Sequence, residues 1–165
     1  MTYQQKCKAS SMSNNLTTRR GTGLLSFVTF RIARVQNRLN AQAAAILRKH
    51  TDLSLTEWRI VSVVNLLGHA TASAISRDVG MDKGQISRAV KRLIDKKILE
   101  TGDHAKDNRQ TILRLSEPGK KIVTDNFEVM RDRQQRLTQN ISDQELDVFY
   151  GVLERLYENA EMPDQ

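Results

Sequence analysis

Thr71-Ala72-Ser73-Ala74-Ile75-Ser76-Arg77-Asp78-Val79-Gly80-Met81-Asp82-Lys83-Gly84-Gln85-Ile86-Ser87-Arg88-Ala89-Val90-Lys91-Arg92-Leu93 reads as two short helices joined by a tight turn. Thr71 caps the first, Ala72 to Asp78, and Gly80 is placed to stop it. Asp82 caps the second, with Gln85 at the position that closes a capping box. Ile86, Val90, Leu93 and Lys97 line one face of that helix, where Lys97 can bury only its stem. After Leu99 the period changes. Gly102 to Asn108 is polar and turn-like, and Thr111, Leu113 and Leu115 alternate with Ile112 and Arg114 as in a half-buried strand. Ile98–Thr101 is the expected partner of that strand in a small hairpin.

Helix, turn, capped helix and hairpin predict a winged helix-turn-helix, and long helical stretches flank it. Upstream, Leu24, Val28, Ile32, Val35, Leu39, Ala43, Ile46 and Leu47 recur at helical spacing and predict a long helix ending near His50, with Arg31, Arg34 and Arg38 on another stripe. Ser54-Leu55-Thr56-Glu57 is a capping box opening a helix through Trp58, Ile60, Val61, Val64 and Leu67, stopped by Gly68. Downstream, Ser116-Glu117-Pro118 starts a helix carrying Ile122, Val123, Phe127, Met130 and Leu137. Ser142-Asp143-Gln144-Glu145, a second capping box, opens the last helix, with Leu146, Phe149, Tyr150, Leu153, Leu156 and Tyr157. The expected class is mainly α with a small β-hairpin. A flexible basic tail is expected over 1–22, a winged helix-turn-helix over 54–117, and a helical region over 23–50 together with 118–160, which the family resemblance given below makes a dimerisation region.

Charge is segregated along the 165 residues. The chain carries +7 overall. Residues 1–52 hold nine Lys/Arg and one acid, whereas residues 122–165 hold four basic and ten acidic side chains. Basic parts suit a polyanion, and an acidic terminal helix suits another partner. A helix of this kind fits the major groove of duplex DNA, about 12 Å wide, with its first turns on base edges. Lys83, Ser87 and Arg88 stand in those turns. Lys91 and Arg92 lie further along, over phosphates. Gln85 either closes the cap with Asp82 or pairs with adenine. Gly84 either permits close backbone approach or relieves a tight start.

The pieces together resemble the MarR family of bacterial transcriptional regulators. The resemblance rests on Leu55-Thr56, Ala74-Ile75, Met81 through Arg88, Leu93 through Leu99, then Asp103, Asp107 and Arg109, and the closing Leu115-Ser116-Glu117-Pro118-Gly119. It covers about residues 24–160. It implies a two-fold homodimer built from the first, fifth and sixth helices, bound to a pseudo-palindromic operator, taken here as a repressor of the cytoplasm. The wide apolar stripes of both terminal regions agree with pairing, since an isologous interface buries them; packing on the winged helix alone is the other reading. By the same resemblance Arg109 is the wing arginine, entering a minor groove with Asp107 orienting it; an exposed ion pair is the plainer alternative. Two positions depart from the family: Lys97 stands where Gly is frequent before the wing, and Gln110 follows Arg109 where a second basic residue is usual.

Members of the family often bind small phenolic or anionic effectors. Phe27, Phe30, Arg31, Arg34 and Trp58 are the residues that would line such a cleft for a small aromatic or anionic effector. A core Trp and a solvated Arg stripe are the competing reading. His50, His69 and His104 lack metal-ligand spacing, so no metal and no cofactor is expected. Cys7, the one cysteine, falls in the tail and not at the start of the first helix, where the family's peroxide sensors place theirs. The chain has no Gly-rich phosphate loop, no Gly-x-Ser-x-Gly and no His-Glu-x-x-His, which argues against an enzyme. No apolar run approaches the ~20 residues that span a membrane. The alternative function is a winged-helix protein-interaction module without specific DNA binding.

Overall fold

The computed structural model describes residues 23–102 and 111–161. Along them run α1 Val28–His50, α2 Leu55–Leu67, β1 Ala70–Thr71, α3 Ala72–Val79, α4 Lys83–Asp95, β2 Leu99–Gly102, β3 Ile112–Leu115, α5 Glu117–Thr138 and α6 Asp143–Glu161. The mainly helical class with a small antiparallel sheet holds. The long first helix starts four residues later than its apolar period suggests. A 3-10 turn, Gly23–Ser26, precedes it, closed by the Ser26 hydroxyl donating to the Gly23 carbonyl at 2.7 Å. A hydroxyl that takes a local carbonyl competes with the helix for it.

Capping side chains set most other boundaries. Ser54 Oγ accepts from the Glu57 N–H while the Glu57 carboxylate accepts from the Ser54 N–H, a complete capping box at α2. Ser142 and Glu145 make the same pair at α6. Thr71 caps α3 and Asp82 caps α4. Gly80 ends α3 in the left-handed conformation (φ 67°), and the Ser76 hydroxyl donates to the Met81 carbonyl at 2.6 Å. That bond ties the last turn of α3 to the residue before the Asp82 cap, so the turn between the two helices is held from both sides.

The expected hairpin gains a third strand. The sheet order is β1-β3-β2, all antiparallel, with Ala70 opposite Leu113 and Thr71 opposite Ile112. Two residues are too few to display an alternation, so β1 leaves no pattern to read. Ile60, Val61 and Val64 of α2, Ile75 of α3, and Ile86, Ala89 and Leu93 of α4 are fully buried, and Leu99 and Leu113 close the core from the sheet.

Lys97 does not continue the buried face of α4. The helix stops at Asp95, and Lys97 is exposed with φ 57°. The Ile98 N–H bonds the Leu93 carbonyl at 2.8 Å and the Lys97 N–H bonds that of Ile94 at 2.8 Å. This is a Schellman termination, whose left-handed position favours glycine. The Gly that the family often carries there has a backbone reason.

The start of α5 is seated on this same junction. The Ser116 N–H donates to the Ile98 carbonyl at 3.1 Å, and its hydroxyl reaches the carbonyls of Lys97 at 2.6 Å and Ile98 at 3.0 Å. The Ser116 Oγ in turn accepts from the Gly119 N–H. A Cβ on Gly119 would lie 2.2 Å from the Ile98 carbonyl oxygen, so only glycine fits where α5 crosses the chain entering β2.

The terminal helices are different in kind. Only Ala43 and Leu47 of α1 are buried, and no residue of α6 is. In α5 the buried side chains include Asn126, whose amide donates to the Ile122 carbonyl at 2.8 Å, while Phe127 faces outward. The apolar face expected from Phe127 is therefore turned away from the chain's own core.

Candidate nucleic-acid interface

The interface grows from the two faces of α4. One face holds Ile86, Ala89, Val90 and Leu93 in the core. Helical geometry then forces the intervening residues outward. Lys83, Gly84, Gln85, Ser87, Arg88, Lys91 and Arg92 are all exposed. No described residue hydrogen-bonds or ion-pairs with the side chains of Lys83, Gln85, Ser87, Arg88 or Lys91. Gln85 therefore does not close a capping box: Asp82 accepts from its N–H at 2.9 Å, but the reciprocal bond seen at Glu57 and Glu145 is missing. Of the two readings of Gln85, the side chain left outward is the one the geometry keeps. At Gly84 an added Cβ would come 3.1 Å from the Asp82 carboxylate that makes the cap, which supports the tight-start reading.

No acidic side chain lies in the first turn of α4. The N-cap carboxylate of Asp82 already occupies the Gln85 N–H, so the positive end of the helix is capped by this chain's own anion beside Lys83. On the sheet, Arg114 sits opposite Glu100 on the outer face. Asp103, His104, Asp107 and Arg109 lie outside the described residues, as does Cys7, so the wing-tip contact and the tail thiol have no structural account here.

Arg92 has an unexpected neighbour. Its Nε donates to Oε1 of Glu57 on α2 at 3.1 Å, and Lys96 Nζ lies 3.5 Å from Oε2 of the same carboxylate. Lys96 also donates to the Asp52 carbonyl at 3.0 Å. Glu57 is only 3% exposed. Burial pushes its carboxyl up, but hydrogen bonds from the Ser54 N–H and hydroxyl and from Arg92, with the charge of Lys96, outweigh that and hold it below its ordinary value. Sequence reading found Glu57 only as a cap. The signal that was missed is its spacing: Glu57 shares a stripe with Ile60, Val61 and Val64, which places a carboxylate on a buried face.

A cavity of about 940 Å³ opens between α1, α2, the end of α3, α5 and α6. Arg31 and Trp58 line it, as sequence reading placed them; Phe27, Phe30 and Arg34 do not. Arg34 instead lies over the Phe30 ring, 6.0 Å from its centroid, on the outer side of α1. Trp58 is half-buried and packs on the core as well, so both readings of it describe part of its surface. The cavity's other charged groups went unnoticed in the sequence: Arg59, which donates to Asn40 at 2.7 Å, Arg133, which donates to Gln42 and to the Leu39 carbonyl, and Asp78. Burial pulls the Arg133 guanidinium below its ordinary value. No His/Cys/Asp/Glu group among the described residues is arranged to hold a metal, and no described helix is long and apolar enough to cross a membrane.

Residues 51–110 match the family model described as MarR family. That winged-helix segment is similar to the MarR family of regulators. The HTH-type transcriptional repressor IacR of Pseudomonas putida is 26% identical over 135 residues, which is 82% of this chain and 80% of that one. The HTH-type transcriptional regulator TcaR of Staphylococcus aureus is 26% identical over 120 residues, 72% of this chain and 79% of that one. Among solved structures, the MarR/EmrR family transcriptional regulator from Acinetobacter sp. ADP1 superposes with a TM-score of 0.76 at 27% identity, covering 81% of this chain and 94% of that one. A mutant of E. coli MarR complexed with operator DNA has a TM-score of 0.63 at 19% identity, covering 76% of this chain and 93% of that one, and so shares the fold. These relatives are named as transcriptional regulators, and the length they share with this chain includes the winged helix.

Proposed function

We propose that this chain is a MarR-family regulator that acts in the cytoplasm as a homodimeric repressor of a pseudo-palindromic operator. The winged helix of residues 54–117 reads the duplex, while residues 23–50 and 118–160 join the protomers. The observation that carries the reading is the outward face of α4, where Lys83, Gly84, Gln85, Ser87, Arg88 and Lys91 stand exposed, their side chains unengaged by any other described residue, on a helix whose opposite face is anchored in the core. Lys83, Gln85, Ser87 and Arg88 address base edges, and Lys91 and Arg92 address phosphates. Asp107 and Arg109 belong to the wing in this reading.

Dimerisation is supported by the apolar surface that one chain leaves in water. Phe27, Val28, Ile32 and Val35 of the α1 end, Phe127 of α5, and Val148, Phe149, Val152 and Tyr157 of α6 are all exposed. Large apolar side chains left exposed in such number mark an interface, although Val28, Ile32, Val35, Phe149 and Val152 also line the cavity between the helices. The cavity behind Trp58, with Arg31, Arg59 and Arg133 against Asp78, suits a small aromatic anion as effector; binding there would bias the spacing of the two reading helices.

Selection of bound fragments from genomic DNA by the purified protein, at several salt concentrations, tests the reading. The expected result is a two-fold sequence with half-sites about one helical turn apart, bound by a dimer with affinity that falls steeply as salt rises. A single chain in sedimentation, or no duplex retained at low salt, overturns it.

A further inference from the structure

We infer that Glu57, a buried residue of α2 that touches no DNA, is a positioning residue for operator binding: it holds Arg92 of the recognition helix by its Nε and leaves the terminal amines of the guanidinium facing outward to grip a phosphate. The inference rests on the DNA-binding reading of α4. Glu57 is fixed by four independent bonds or charges: the Ser54 N–H and hydroxyl at 2.9 Å each, Arg92 Nε at 3.1 Å and Lys96 Nζ at 3.5 Å. A carboxylate so held cannot follow a flexible side chain; the side chain follows it. Arg92 gives it only the Nε–H, and no described residue bonds its terminal nitrogens. Its side chain is 53% exposed. A guanidinium presents five donors in a rigid fork, so one edge can be anchored while the other binds an anion.

This arrangement explains why a carboxylate sits beneath a helix that must attract a polyanion. The pair Arg92 and Lys96 outweighs the single charge of Glu57, so the cluster stays cationic. The remaining exposed cations, Lys83, Arg88 and Lys91, have no such support and must be ordered when DNA binds, at an entropic cost. Arg92 has that ordering done in advance. The tie also joins the last turn of α4 to the first turn of α2, so the angle of the reading helix and the reach of Arg92 are set by one group.

The test is a double-mutant cycle on binding of the selected operator, run with the full chain. Arg92→Ala is expected to weaken binding about tenfold, as for a lost charge-assisted hydrogen bond, and to lower the salt slope by about one per protomer. Glu57→Gln keeps an oxygen for the Ser54 cap and is expected to weaken binding severalfold with no drop in slope. Arg92→Lys keeps the charge but loses the Nε bond, and should reproduce the Glu57→Gln loss. In the Arg92→Ala background Glu57→Gln should cost nothing further in affinity, although its melting temperature still falls. Additive losses in the cycle, tighter binding by Glu57→Gln, or wild-type affinity for Arg92→Ala or Arg92→Lys would each overturn the inference. Arg88→Ala separates the two levels: if wild type binds the duplex and Arg88→Ala weakens it while the cycle is additive, only the role of Glu57 fails. If wild type binds no duplex, the DNA-binding reading itself has failed.

Discussion

The winged helix and the terminal helices satisfy their apolar residues in opposite ways. In the first, Ile60, Val61, Val64, Ile75, Ile86, Ala89 and Leu93 reach 0% exposure within one chain. In the second, Val148 is 64% exposed and Tyr157 61%, and α6 buries nothing fully. Both regions carry ordinary amphipathic patterns, so pattern alone does not say where the covering surface comes from. The contrast teaches that stability is intramolecular in one region and, under the proposed dimer, intermolecular in the other.

Two substitutions break that contrast most sharply. Ile86→Ala removes a fully buried side chain and is expected to cost about 2–5 kcal/mol by lost burial and cavity formation. Val148→Glu removes an exposed one and should cost a single chain almost nothing, yet dissociate the dimer. The measurement is the melting temperature against protein concentration. Wild type should melt higher as concentration rises, because assembly stabilises by mass action. Ile86→Ala should be lowered at every concentration, and Val148→Glu should lose the concentration dependence. A wild-type melting temperature independent of concentration would place the covering surface within the chain and remove the contrast.

Acid should separate the regions less strongly, through Glu57 and Glu145. Both carboxyls are held below their ordinary value of 4.5. For Glu57, burial works the other way and is overcome by Ser54, Arg92 and Lys96; for Glu145, the bonds from the Ser142 N–H and hydroxyl act in a fully exposed setting. A depressed folded value means stability that is complete above about pH 4.5 and lost as pH falls through the folded value. Chemical denaturation from pH 6 to pH 3 should show an acid limb that Glu57→Gln flattens. Glu145→Gln should leave that limb nearly intact, since solvent screens an exposed pair.

Much of this was legible in the residues. Both complete capping boxes, the Thr71 and Asp82 caps and the Gly80 stop are local, and local chemistry is written in adjacent letters. The outward side chains of α4 followed from the spacing of Ile86, Val90 and Leu93. What escaped is non-local. The pairing of β1 with β3 joins residues 70–71 to 112–113, the Glu57–Arg92 bond spans 35 positions, and the bonds from Arg133 to α1 span more than ninety. Arg31 and Trp58 reached the cavity, but Phe27, Phe30 and Arg34 did not, because a helical stripe shows which residues share a face and not which face meets a neighbour.

Lys97 offers the smallest and most local test. It sits at φ 57° between the core helix α4 and the strand leading to the wing, where an L side chain strains against its own backbone and glycine does not. The hydrogen bonds at Lys97 engage its own main chain alone, its N–H to Ile94 and its carbonyl from the Ser116 hydroxyl, with Ile98 to Leu93 beside it, so a change of its side chain leaves them in place. Lys97→Gly should therefore stabilise the winged helix by about 1 kcal/mol, the relieved strain exceeding the greater entropy of glycine in the unfolded chain. The gain belongs to the intramolecular region, so it should raise the melting temperature of Val148→Glu as much as that of wild type. A gain seen in the dimer alone would mean that this junction, where Ser116 and Gly119 of α5 are seated, is set by the partner and not by the chain's own core.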